Sequence, residues 1–258
     1  MIQPAELFGG TIPPWIRRFV KQTGRGINKY RMIAEDDRVL VSVSGGKDSL
    51  ALALALALRK RWLPIDYELQ ALHIDWKEYP LSSQKLSELQ EFFKVLKIPL
   101  HTLQATMFSE TFHGEFNCYL CSRNRRRILF DFAEKENITT VAMGHHLDDI
   151  VETALINLCF RADFSSMLPV QDFFSGELHI IRPMCEVRES VIARLAREVD
   201  LPVAKAPCPY NQTNIRSRLK PIIRNLSHID RYTREHIYKA LNYEKYVQKI
   251  RTNDLKDE

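Results

Sequence analysis

The chain is poor in the features that would place it outside a reducing, aqueous compartment. Its longest apolar run, Leu50 to Leu58, is far too short to span a bilayer, and Met1 to Gly10 carry neither a basic leader nor an apolar core. A soluble, cytoplasmic protein with no membrane partner is therefore expected. Cysteine is scarce, with 5 in 258 residues, which argues against a disulfide framework and leaves metal, cluster, catalytic or packing roles. Charge of one sign is also lacking: 37 Lys+Arg against 32 Asp+Glu leave a net +5, so any polyanionic partner must be read from where basic residues cluster. No internal repeat is present. Glycine is rare, at 9 residues, and besides Gly9-Gly10 one adjacent pair stands at Gly45-Gly46.

That pair follows a β-branched run, Arg38 to Val43, and precedes the Ala/Leu stretch Leu50 to Leu58, which ends in Arg59-Lys60-Arg61. Alternating Leu and Ala mimics a strand. Both are strong helix formers, however, and the basic end suits a helix C-terminus, so a buried helix is expected. Further strands are expected at 67–74, 100–104, 140–143 and 178–181, with helices at 82–97, 122–137 and 148–160. Such alternation implies an α/β fold with a doubly wound, mostly parallel sheet. The prolines at Pro169, Pro183, Pro202, Pro207 and Pro209 mark turns, and beyond Pro221 the chain reads as helical and charge-rich. We expect a helical N-terminal appendage over 1–36, a nucleotide-binding domain over 37–210 and a helical extension over 211–258.

A glycine turn between a strand and a helix lets backbone approach an anion, and the helix N-terminus favours phosphate. Ser44 and Ser49 add hydroxyls and Lys47 adds charge, while the GxxxxGK[ST] spacing of kinases and GTPases is absent. The hexapeptide Ser44-Gly45-Gly46-Lys47-Asp48-Ser49 resembles the pyrophosphate loop of the ATP-pyrophosphatase family, enzymes that split ATP between its α- and β-phosphates and transfer AMP to an oxygen. The resemblance implies ATP, held by this loop with Lys47 on the departing pyrophosphate, and Mg²⁺, held by Asp48 or Asp149. Asp75, just past the second strand, is read equally as a ribose contact or as a surface carboxylate.

Cys118 and Cys121 form a CxxC pair, able to bind one metal centre from a turn entering a helix but not to close a four-coordinate site. Cys208, between Pro207 and Pro209, is the third candidate, since it sits in an irregular segment. Cys159, in an apolar helical stretch, and Cys185, after a strand, read as small packing residues. Spacing alone leaves structural zinc, a redox disulfide and a cluster open, with zinc first.

The surrounding residues reverse that order. Cys118-x-x-Cys121-Ser122-Arg123-x-Arg125-Arg126, then Gly144-His145-His146-x-Asp148-Asp149, then the Pro207-Cys208 segment, resemble the tRNA 2-thiocytidine synthetase family and its thiolase relatives, over about residues 24–220. The resemblance implies a [4Fe–4S] cluster on Cys118, Cys121 and Cys208, with one iron open to sulfide. It also implies tRNA as substrate and a sulfur donor such as a cysteine desulfurase or free sulfide. Gly144 and His145 would lie beside the nucleotide, and Lys47, Asp48 and Asp149 would carry the catalytic work. The family often has a second late cysteine; here Asn211 follows Pro209-Tyr210, which removes a persulfide relay at that position but leaves the cluster set intact.

His145 and His146 are adjacent and cannot share a helix face as HExxH histidines do, so a histidine metal site is not expected. Basic residues gather at 17–31, at 123–127 and at 216–224. The first and third read equally as solvated faces or RNA contacts, while the middle group stands beside the candidate cluster. Tyr232, Tyr238, Tyr243 and Tyr246 read as core packing ahead of base stacking. A homodimer is left open. The rival readings are the same chemistry on a tRNA uridine or a small metabolite, a lysidine-type ligase, and a non-enzymatic nucleotide-binding iron–sulfur or zinc sensor.

Overall fold

The run Arg38–Val43 sends Val39, Val41 and Val43 to one side and Leu40 to the other, and all four are buried. A strand apolar on both faces needs cover on both. In the computed structural model, which describes residues 1–63, 65–107, 118–204 and 215–243, this strand lies inside a six-stranded sheet. The elements in chain order are α1 (Glu6–Gly9), α2 (Pro14–Lys29), β1 (Arg38–Val43), α3 (Lys47–Lys60), β2 (Glu68–Trp76), α4 (Ser83–Leu96) and β3 (Leu100–Ala105). Then come α5 (Cys118–Lys135), β4 (Thr140–Ala142), α6 (Leu147–Arg161), β5 (Val170–Phe173), β6 (Leu178–Ile181), α7 (Glu189–Glu198), α8 (Ile215–Ile229) and α9 (Thr233–Ala240).

The strand order is β3-β2-β1-β4-β6-β5, parallel throughout except that β5 runs antiparallel to β6 at the edge. The chain winds outward from β1 to β3 and then returns to place β4 on the other side of β1. That reversal opens a crevice beyond the C-terminal ends of β1 and β4, where α/β sheets take their ligands.

α3 covers one face. Every residue from Ser49 to Arg59 is buried, so the helix has no solvent side and its Leu/Ala alternation is a volume pattern, not an amphipathic one. α2 and α7 pack on it from outside. α2 begins at a proline, whose missing N–H costs nothing there, and buries Ile16, Phe19, Val20, Thr23 and Ile27 at helical spacing. α4 starts at the Ser82 cap, whose hydroxyl accepts from the Lys85 amide at 3.3 Å, and buries Leu89, Phe92, Phe93 and Leu96. The second face holds a smaller core in which Leu129 and Ala133 of α5 meet Leu40, Leu72, Val141 and Leu178.

Three expectations need correction. Cys159 is exposed, not buried: the last turn of α6 runs past the core edge and leaves Leu158 and Phe160 exposed as well. The strand β5 was not among those expected; it follows the bend at Pro169, and pairing with β6 decides its conformation. Helix α8 begins at Ile215 and contains Pro221, so helicity starts ahead of that proline; the lost backbone bond is offset by burying Leu219 and Ile223. α8 and α9 both pack on α6. Cys185 is buried as expected, as are Tyr238 and Tyr243, whereas Tyr232 is exposed. Cys208 and Tyr246 lie outside the described residues. Among the described residues no helix is long and apolar enough to cross a membrane.

Leu54→Ala, which empties a fully buried site in α3, should lower unfolding free energy by about 2–5 kcal/mol in urea titration, and Leu158→Ala by less than about 0.5 kcal/mol. Equal losses would contradict the placement of α3 in the core.

Candidate functional site

The crevice beyond β1 and β4 is a cavity of about 670 Å³. Its floor is the turn from β1 into α3. Gly45 has φ +77°, and a Cβ there would stand 2.3 Å from the Ala204 carbonyl oxygen, so only glycine fits. The same approach allows the Ala204 amide to donate to the Gly45 carbonyl at 2.8 Å. Ser49 Oγ donates to the Gly46 carbonyl at 3.0 Å and accepts from the Ser44 amide at 3.3 Å, which closes the turn. Gly46 caps α3 without a side chain, and the first helical bond runs from Leu50 to Gly46. The first amides of α3 thus have no carbonyl partner within their helix, and Asp48 and Ser49 line the cavity. This is an anion cradle.

Gly144 lines the cavity and also makes room for the start of α3. A Cβ there would stand 3.0 Å from the Asp48 carbonyl carbon and the Ser49 amide nitrogen, so its bare Cα lets α3 begin against the end of β4. His146 then caps α6: its Nδ1 accepts from the Asp149 amide at 3.4 Å, and the Asp149 carboxylate accepts from the His146 amide at 3.0 Å. Accepting at Nδ1 puts the His146 proton on Nε2, which faces Asp48 at 3.6 Å. The two aspartates separate in role. Asp148 is buried and structural, accepting from the Glu189 amide at 2.7 Å and from Arg234 Nε at 2.5 Å. Asp149 lines the cavity with its second oxygen 3.9 Å from Arg216.

Lys47 does not line the cavity. Its Nζ donates to Asp48 at 2.8 Å and to Glu189 of α7 at 3.0 Å. Burial works against its charge, but the hydrogen bonds and charges of Asp48 and Glu189 outweigh it and raise its pKa. Burial likewise acts to raise the Glu189 carboxyl, yet Lys47 and then Lys220, at 3.3 Å, hold it down at about 2. Glu152, buried one turn along α6 from Asp149, faces Lys220 at 3.8 Å, and desolvation outweighs that charge and pushes it up to about 7. Glu152, Glu189 and Lys220 were invisible as a group in the sequence because three helices supply them.

The far wall is basic. Arg125 and Arg126 of α5, Arg182 after β6 and Arg216 of α8 all line the cavity. Arg182 is 5% exposed, with its Nη atoms on the Leu168 carbonyl and Gln171 and its Nε without a partner among the described residues. Burial and then the Arg126 charge lower its pKa to about 10. His145 stands among these arginines. Desolvation, then Arg182 and Arg216, push it down to about 3, so it is a neutral imidazole, and its shielded Nδ1 has no partner among the described residues. Arg182 could have been suspected from the sequence as a charge directly closing a buried strand; Gln171 and Met167, also lining the cavity, carried no such signal.

Cys121 lines the same cavity, and Cys118 opens the same helix three positions earlier. Among the described residues no group of three His, Cys, Asp or Glu is placed to hold a metal. Asp75 is buried, ruling out a surface carboxylate; one oxygen accepts from the Leu81 amide at 2.9 Å. It lines a narrow recess of about 40 Å³ that shares Ser42, Ser44 and Arg125 with the main cavity. The structure therefore gathers Ser44, Asp48, Ser49, Gly144, His145, Asp149 and Cys121 about one cavity, with Gly45 and Gly46 in the turn between Ser44 and α3, Asp75 beside it and Lys47 turned to α7.

The sheet with its switch-point crevice and the glycine turn feeding α3 define a PP-loop nucleotide-binding protein. The model of the PP-loop domain matches residues 17–227. The tRNA-cytidine(32) 2-sulfurtransferase of Burkholderia orbicola is 34% identical over 81% of this chain, which spans 64% of that relative's length, slightly under two thirds. Those of Alkalilimnicola ehrlichii, at 33% over 87% of this chain and 72% of theirs, and of Francisella tularensis subsp. tularensis, at 32% over 88% and 85%, are matched more fully. The U34-tRNA thiolase NcsA from Methanococcus maripaludis, solved with its [4Fe–4S] cluster, superposes with a TM-score of 0.70 at 23% identity, covering 90% of this chain and 80% of that one; this likeness concerns the fold. The chain belongs to the PP-loop domain family and, within it, to the family of the tRNA-cytidine(32) 2-sulfurtransferases.

A carboxyl whose pKa is raised by folding stabilises the fold fully below about pH 4.5 and loses that contribution as pH rises through about 7. Glu152→Gln should therefore gain stability relative to the parent between pH 5 and pH 8, by on the order of 1–3 kcal/mol in urea midpoints. A difference between the two proteins that does not change with pH would contradict the buried, proton-holding Glu152.

Proposed function

We propose that this chain is an ATP-dependent tRNA sulfurtransferase that converts a cytidine to 2-thiocytidine. The observation that carries the reading is that the anion cradle and Cys121 open into one arginine-lined cavity, in a chain of this family. Ser44, Gly45, Gly46 and Ser49 would bind the β- and γ-phosphates through the α3 amides and hydroxyls, and Asp75 would take the ribose from its recess. Asp48 and Asp149, carboxylates that both line the cavity, suit a Mg²⁺ ion as oxygen ligands. Neutral His145 and the bare backbone of Gly144 would border the nucleotide. Arg125, Arg126, Arg182 and Arg216 would neutralise the phosphates and admit the RNA backbone.

Cytidine O2 forms a bond to the α-phosphorus as the bridge to the β-phosphate breaks and pyrophosphate leaves. The loop amides and Lys47 stabilise the charge developing on the leaving group. A sulfide sulfur then bonds to C2, and the C2–O2 bond breaks with AMP as the leaving group. Activation is required because an unmodified carbonyl oxygen leaves poorly.

The cysteines fit a [4Fe–4S] cluster. Cys118 and Cys121 stand three apart on one helix, a spacing at which two thiolates can share a metal centre. The late segment carrying Cys208 departs from Ala204, bonded to the cradle, and rejoins at α8, whose Arg216 lines the cavity. Three thiolates suit such a cluster, which would supply an open thiophilic iron for sulfide. The donor of that sulfur, a desulfurase or free sulfide, and a homodimeric state complete the reading. The cytoplasm, where tRNA is modified, is its setting.

Nucleoside mass spectrometry of tRNA incubated anaerobically with iron-reconstituted protein, ATP, Mg²⁺ and sulfide should show 2-thiocytidine, absent without ATP. Cys121→Ser and Cys208→Ser should each lower product by at least about tenfold and bleach the brown chromophore, while Cys159→Ser, on the exposed end of α6, changes neither. No thionucleoside from cluster-loaded protein would sink the reading, and a thiouridine would replace its target base.

A further inference from the structure

The charge that gives the loop its cation is stored away from the cavity. Lys47 Nζ bridges Asp48, at 2.8 Å, and Glu189, at 3.0 Å. Asp48 lines the cavity and Lys47 does not, so the ammonium stands one hydrogen bond behind the cavity wall. Glu189 has a second cation on its other oxygen, Lys220 of α8, at 3.3 Å. Lys220 in turn faces buried Glu152 at 3.8 Å and is itself nearly half exposed.

We propose that Glu189 and Lys220 are positioning residues that form a holding site for Lys47: a nucleotide phosphate draws the ammonium off Glu189 into the cavity, and Lys220 keeps the vacated carboxylate paired. This inference rests on the nucleotide reading of the loop. Its physical basis is the cost of an unpaired, partly buried carboxylate. Withdrawing Lys47 from a Glu189 with no other partner would strand that charge, which is strongly unfavourable. With Lys220 already on the second oxygen, Glu189 goes from two cations to one and is never left unpaired. The backbone of Glu189 is fixed independently, since its amide donates to Asp148 at 2.7 Å, so the carboxylate cannot follow the departing lysine far. Affinity for phosphate is thereby set by a competition between two anions for one ammonium, and α8 tunes it from behind.

The test is a double-mutant cycle read by isothermal titration calorimetry with α,β-methylene ATP and Mg²⁺, so that neither tRNA nor sulfur chemistry enters. Glu189→Gln removes the competitor and should bind about three- to tenfold tighter; Lys220→Met, which leaves Lys47 as the sole partner of Glu189, should bind about three- to tenfold weaker. Lys220→Arg should bind like the parent. In a Lys47→Met background both changes should shrink to within about twofold, because their effect passes through Lys47. Full-sized effects in that background would overturn the proposal, since they would show the two residues acting by their own charge. Weaker binding by Glu189→Gln would overturn it as well. A parent protein that binds no nucleotide would overturn the loop reading first and this inference with it, whereas thiolation activity without the cycle's pattern would overturn this inference alone.

Discussion

Nine alternating leucines and alanines make α3 a helix without a wet side, and it sinks against the sheet along its whole length. A helix buried in this way still has unmatched amides at its start. They cannot be left in an apolar core, so the chain must bring its N-terminus out at a polar opening or seal it. The fold does the former: the glycine turn delivers those amides to the crevice between β1 and β4, and the rest of the site is assembled about them. The gap created by Gly144, the cap formed by His146 and Asp149, and the Ala204–Gly45 backbone bond each hold another segment against the same helix end.

Electrostatics follow from that placement. Four arginines face two carboxylates, Asp48 and Asp149, across the cavity, and Glu189 and Glu152 lie outside its lining on α7 and α6. Buried His145, with Arg182 and Arg216 acting on it, cannot take a second proton there, while buried Glu152 keeps its own unusually well. Burial is the first cause of both shifts; the arginines add to it at His145, while Lys220 opposes it at Glu152.

Much of this was legible in the sequence because local chemistry determined it. The strand–turn–helix, the cysteine pair, and the GHHxDD run each announce themselves within a dozen residues, and the parallel winding follows from their alternation. Illegible were the features set by distant partners. Lys47 turns to Glu189 because α7 packs on α3, a contact no spacing encodes, and Asp148 and Asp149, neighbours in sequence, diverge because a helix points them to different surroundings. Cys159 sits in an apolar run whose last turn outlasts the core, so composition indicated burial where geometry gave solvent. The edge strand β5 escaped notice because its pairing with β6, not its own residues, makes it extended.

The bond between the Ala204 amide and the Gly45 carbonyl has a consequence for how this chain can change over generations. It staples the beginning of the late cysteine-bearing segment to the backbone of the phosphate turn, with no side chain involved. Substitutions cannot tune a main-chain bond, and a shift of either partner displaces the other. Insertions and deletions are thus barred from the stretch leading into Ala204, and the two segments, far apart in the gene, are constrained to drift together as one inherited unit.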